Sequence, residues 1–208
     1  MDNLIYLLFV SVSIPLIMMA LMIEKKARLP IVFMIVGIVV SVFASELNGL
    51  LRNVLQMDLY RFVVTVTPIS EEVLKALPIL YYAIVISDKK EKLFTAAMAL
   101  GIGFAVLENA YYLLNFESFN ILSAMIRAFG SGLMHGMCTL LVGVGISFVK
   151  KREKLFFVGT FGLLSTAIVY HGIYNILIQS SYSIVGALLP VATYVPFLLR
   201  RIQTKYKK

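Results

Sequence analysis

Seven mostly apolar stretches follow one another along this chain, at about 3–23, 31–51, 62–86, 93–114, 121–149, 155–179 and 182–199, with short polar breaks between them. At about 1.5 Å of rise per residue, stretches of this length cross the roughly 30 Å of a bilayer's hydrocarbon core. Backbone in lipid must satisfy its own hydrogen bonds, so such stretches fold as helices that pack on one another. The expected architecture is all-α: a polytopic transmembrane bundle of seven helices, forming one domain over residues 1–208. A composition that is 60% hydrophobic and only 14% charged excludes a soluble domain of 208 residues.

The net charge of +8 raises the question of nucleic acid, but the basic residues lie in short clusters between apolar segments, which makes them topology signals. Cys138 is the only cysteine and falls within an apolar segment, so no disulfide framework exists. The first apolar stretch has neither a basic leader nor a small-residue cleavage site and reads as a retained helix. Alternate breaks differ sharply in charge. One set, with the tail, holds Lys25, Lys26, Arg28, Lys89, Lys90, Lys92, Lys150, Lys151, Arg152, Lys154, Arg200, Arg201, Lys205, Lys207 and Lys208, whereas the other holds Arg52 and Arg61. The positive-inside rule then puts the N-terminus outside and the C-terminus in the cytoplasm, which requires an odd number of helices.

Ionisable residues inside these stretches carry the functional argument. Glu71, Glu72 and Lys75 interrupt the third, Glu108 the fourth, Arg127 and His135 the fifth, and His171 the sixth. A charge at a helix centre facing lipid costs roughly 2.5–3.5 kcal/mol. Four such groups would consume most of the roughly 5–15 kcal/mol by which a folded domain is stable. They are expected to face one another, a cavity or an ion. With the orientation above, Glu71, Glu72, Glu108 and His171 fall between the midplane and the outer surface and His135 near the midplane, which implies one shared site that opens outward.

Spacing adds detail. Glu71 and Lys75 lie about 40° apart on one helix face and Glu72 about 100° from Glu71, so the lysine can partner one carboxylate and leave the other for chemistry. Pro68 and Pro78 bracket this segment. Gly101 and Gly103 thin the fourth helix for close packing, and Gly132 with Gly136 is expected to admit another backbone at the level of His135. His171, Tyr174 and Asn175 project into one sector, suited to a supported metal ligand or to donors for an oxyanion. Carboxylates, imidazoles and an amide sheltered from bulk water suit peptide hydrolysis, with a glutamate as general base. There is no His-Glu-x-x-His motif and no serine-nucleophile context. A proton- or ion-coupled transporter is the alternative, but no internal repeat is visible and the acidic motif occurs once. A third reading is an idle scaffold that binds membrane partners.

The motifs Glu71-Glu72-Val73-Leu74-Lys75, Phe104-Ala105-Val106-Leu107-Glu108-Asn109, Met134-His135-Gly136 and His171-Gly172-Ile173-Tyr174-Asn175 occur in that order. They resemble the PrsW family of membrane proteases, relatives of the CAAX prenyl endopeptidases and bacterial abortive-infection proteins. The resemblance covers about residues 68–176. It implies a transmembrane protease, in the cell membrane of a bacterium or archaeon, that makes the first cut in a single-pass substrate such as an anti-sigma factor near the outer leaflet. It also implies catalytic roles for Glu71, Glu72, Glu108, His135, His171 and Asn175. Glu108 stands where the CAAX relatives have a histidine. With zinc as the cofactor, the expected ligands are Glu72, Glu108, His135 and His171; a metal-free glutamate mechanism is the other option within the superfamily.

Overall fold

The computed structural model describes residues 3–24, 27–115, 121–149 and 153–206. Within them are seven helices: α1 (Asn3–Met22), α2 (Arg28–Leu55), α3 (Leu59–Tyr81), α4 (Lys90–Asn115), α5 (Ile121–Ile146), α6 (Glu153–Ile178) and α7 (Ser183–Tyr206). The fold class and helix count expected from the hydropathy pattern are those observed. Helix α3 runs on into a π-helical turn at Tyr82–Ile86, just past Pro78, whose missing N–H already interrupts the regular ladder there. Of the basic residues used for orientation, Lys25, Lys26, Lys150, Lys151, Arg152, Lys207 and Lys208 lie outside the described residues.

Among the described residues four spans, Arg28–Leu55, Lys90–Asn115, Arg127–Ile146 and Lys154–Ile178, are long and apolar enough to cross a membrane, making this a multi-pass membrane protein. Helix α3 is not one of them, since Glu71, Glu72 and Lys75 lie together in its middle. Its own outer face is apolar even so, with Ile69, Leu77 and Tyr81 exposed. Leu21, Phe43, Val158 and Phe161 point outward with 64–75% of their surface exposed, as expected of side chains that meet acyl chains.

Glycines set the spacing of the bundle. A Cβ on Gly37 would stand 2.0 Å from the carbonyl oxygen of Leu100, and one on Gly103 would stand 2.1 Å from that of Met34, so α2 and α4 touch backbone to backbone. Without a hydrophobic effect between helices in lipid, such contact is the source of packing energy. Gly37→Ala must push two backbones apart and is expected to lower stability by about 3 kcal/mol. Gly49→Ala, on the same helix with nothing within 4 Å of the added methyl, should leave it unchanged or slightly raised. Thermal unfolding of the two variants in detergent is the comparison; equal midpoints would contradict the tight α2–α4 seam.

The two halves of the bundle differ. Where α3 ends, α4 begins and α5 ends, Ile79, Tyr82, Leu93, Leu100, Val142 and Ile146 form a buried apolar core. At the opposite end, where the short turn 56–58 joins α2 to α3, the bundle is hollow.

Candidate active site

Helix α3 starts under local control: the Asp58 side chain accepts the Arg61 N–H at 3.0 Å, capping the first turn. Pro68 then leaves the carbonyl of Val64 without its helical donor. Helix α6 docks on this weakened turn. A Cβ on Gly172 would come within 3.1 Å of the Val64 oxygen, and the Asn175 amide donates to the Val63 carbonyl at 3.0 Å. This contact places His171 opposite Glu71 and Glu72. Helix α5 is seated by α4: a Cβ on Gly101 would lie 2.3 Å from the His135 carbonyl, bringing His135 against Phe104, with ring centroids 4.9 Å apart.

The four motifs therefore meet. Glu72, Lys75, His135 and His171 have at most 1% of their surface exposed, and Glu71 has 5%. Lys75 Nζ lies 2.6 Å from Glu72 Oε1 and 2.9 Å from His135 Nδ1. An ammonium can only donate, so His135 Nδ1 accepts and its Nε2–H donates to Glu108 Oε2 at 2.9 Å. Glu72 Oε1 also accepts from His171 Nδ1 at 2.8 Å, which leaves His171 Nε2 bare and facing Glu71 Oε2 at 4.0 Å. The two imidazoles stand at 85° with centroids 4.9 Å apart. Glu108 is further surrounded by Ser131 Oγ at 3.3 Å and Arg127 Nη2 at 3.9 Å.

A cavity of about 480 Å³ reaches this cluster. Glu71, Glu108 and His135 form its inner wall, and Arg52, Leu59 and Gln179 border it at the end away from the apolar core. Glu72, Lys75 and His171 are not on that wall, so the adjacent glutamates are divided: Glu71 faces the cavity and Glu72 supports what lies behind it. Carboxylates Glu71, Glu72 and Glu108 face the cations Lys75 and Arg127, so with neutral histidines a proton on Glu71 or a bound cation balances the third carboxylate.

Some sequence expectations change at this level of detail. The lysine pairs with Glu72, three residues away, because Glu72 shares its direction toward His135 and His171; Glu71 instead receives the Asn48 amide at 3.3 Å. Gly132 has nothing within 4 Å of an added Cβ, and the close backbone approach to His135 comes through Gly101. Asn175 borders the cavity but its amide donates to the Val63 carbonyl, away from the two histidines. Zinc was expected among Glu72, Glu108, His135 and His171; the ligand atoms that converge within 4.8 Å belong to Glu71, His135 and His171. Glu71 Oε2, buried and without a hydrogen-bond partner, fits a ligand role; Glu72 Oε2 is also without a partner, but Glu72 does not line the cavity and its Oε1 is held by Lys75 and His171, while Glu108 is engaged by His135.

Helix α2 carries residues that the sequence reading passed over. Ser41, Ser45, Asn48 and Arg52 all line the cavity, and Asn48 also accepts from Ser70. Their spacing of four, three and four residues is a polar stripe on one helical face within an apolar span, a signal present in the sequence.

A family model described as PrsW family intramembrane metalloprotease matches residues 25–200 of the chain. No curated protein and no solved structure matches it.

Proposed function

We propose that this chain, which belongs to the PrsW family of intramembrane metalloproteases, hydrolyses a peptide bond of a single-pass membrane protein within the cavity at Glu71. The observation that carries this reading is the division of the site: a glutamate with a free, buried oxygen on the cavity wall, backed by an ion pair that orients two histidines. Glu71 is the general base, taking a proton from water as the water oxygen bonds to the carbonyl carbon, and then passing it to the departing nitrogen. Glu72 holds His171 with Nε2 toward Glu71, and Lys75 holds His135 with Nε2–H toward Glu108. Asn48 positions Glu71, and Asn175 positions α6 on α3.

Glu71, His135 and His171 would hold a zinc ion, His135 by exchanging one of its present hydrogen bonds, and Glu71 would then take the proton through its other oxygen, the one that now accepts from Asn48. Zinc bound there would act as a Lewis acid and lower the pKa of water. Purified protein is expected to carry about one zinc per chain, and His171→Ala to lose it together with cleavage. An active preparation free of metal would remove zinc from the reading and leave Glu71 with the imidazoles acting on water directly.

Basic loop charge makes the hollow end the extracytoplasmic one, which puts cleavage near the outer leaflet of a bacterial or archaeal cell membrane. Placement beside the CAAX and abortive-infection proteins, and an anti-sigma factor as the substrate, rest on the order of the four motifs. Reconstitution with a single-pass reporter tests the reading: cleavage on the side of the 56–58 turn supports it, and an intact reporter in every lipid and metal condition overturns it.

A further inference from the structure

Three buried side-chain atoms without a hydrogen-bond partner belong to residues that line the cavity: Glu71 Oε2, Arg127 Nε and the Tyr174 hydroxyl. The first is an acceptor and the other two are donors. Arg127 is otherwise occupied, stacked 3.7 Å from the Tyr112 ring and drawn toward Glu108. Tyr174 is 3% exposed and its hydroxyl has no such tie. A buried polar group left unsatisfied is destabilising, a cost that a phenylalanine would avoid.

We propose that the Tyr174 hydroxyl donates a hydrogen bond to the carbonyl oxygen of the bond being cut, as negative charge develops on it. This rests on the peptidase reading above. When the water oxygen joins the carbonyl carbon and Glu71 takes the proton, the π electron pair moves onto the carbonyl oxygen. When the C–N bond breaks, that pair re-forms the double bond and the nitrogen receives the proton from Glu71. Between these events the oxygen needs a donor. Carboxylates cannot provide one, the Asn175 amide is held at the Val63 carbonyl by one of its two N–H groups, and the Ser131 hydroxyl is directed to Glu108. The space for the phenol is made by Gly130, where an added Cβ would sit 3.1 Å from the Tyr174 oxygen. The hydroxyl therefore stands in a slot against the α5 backbone, fixed before substrate arrives, as stabilisation of a developing charge requires.

The test uses the full chain in phosphatidylethanolamine and phosphatidylglycerol vesicles with a fluorescently tagged single-pass helix. Tyr174→Phe is expected to lower kcat by about 10²–10³-fold, the loss typical of one oxyanion donor, with KM within about twofold. Its thermal midpoint should be unchanged or raised, since the ring stays and the unsatisfied hydroxyl goes. A wild-type kcat, a rise in KM alone, or a kcat loss that tracks a lower midpoint would each overturn the role. If Glu71→Gln cleaves as fast as wild type, or wild type does not cleave at all, the peptidase reading fails and this role falls with it. Wild-type activity with dead Glu71→Gln and fully active Tyr174→Phe removes only Tyr174.

Discussion

Glu71→Gln is expected to reduce single-turnover cleavage by about 10²–10⁴-fold, the range that a positioned general base contributes. The amide has nearly the same shape as the carboxylate and keeps an oxygen for the Asn48 amide, so folding should survive. The comparison with Glu72→Gln is informative. Both acids are buried, but only Glu71 lines the cavity and has an oxygen free of partners there. Glu72 acts through Lys75 and His171, so its amide variant should lose stability along with rate. Rates measured at equal folded fraction separate the two. A Glu71→Gln variant that retains full activity at any metal concentration would displace Glu71 from the chemistry.

The second large effect concerns stability. Lys75→Met replaces a fully buried ammonium with an apolar chain of similar length, stranding the Glu72 carboxylate 2.6 Å from where its counter-ion stood. Removing one member of a buried pair costs about 3–5 kcal/mol, because the remaining charge stays desolvated and uncompensated. Combining Lys75→Met with Glu72→Gln should recover much of that loss. Such non-additivity identifies a shared interaction. Thermal or denaturant unfolding in detergent reads it directly; strictly additive losses would show that Lys75 contributes through packing over Phe104, 4.7 Å from its ring centroid, and not through charge.

How much of this was legible in the sequence follows from the kind of physics involved. The apolar stretches specified the helices, because backbone in lipid has no other way to satisfy its polar groups. The cost of charge in hydrocarbon required Glu71, Glu72, Lys75, Glu108, His135 and His171 to gather, and they do. The PrsW resemblance named their chemistry, and the family match over residues 25–200 agrees with it.

Pairing within the gathered set was not legible. Helical periodicity puts Lys75 near both glutamates, separated by three and four residues, and cannot choose between them. The choice was made by α5 and α6, which bring His135 and His171 to the Glu72 side while α2 brings Asn48 to Glu71. Asn175 illustrates the same limit: its position beside His171 suggested a role at the reacting bond, but in the folded bundle its amide donates to the Val63 carbonyl of α3. Along one helix, sequence alone determines which residues share a face and that none of the charges can face lipid. Which carboxylate keeps a free oxygen in the cavity depends on side chains from four other helices, whose approach is set by backbone contacts at Gly37, Gly101, Gly103 and Gly172. These contacts depend on shapes that meet only after folding, so only the tertiary structure decided them.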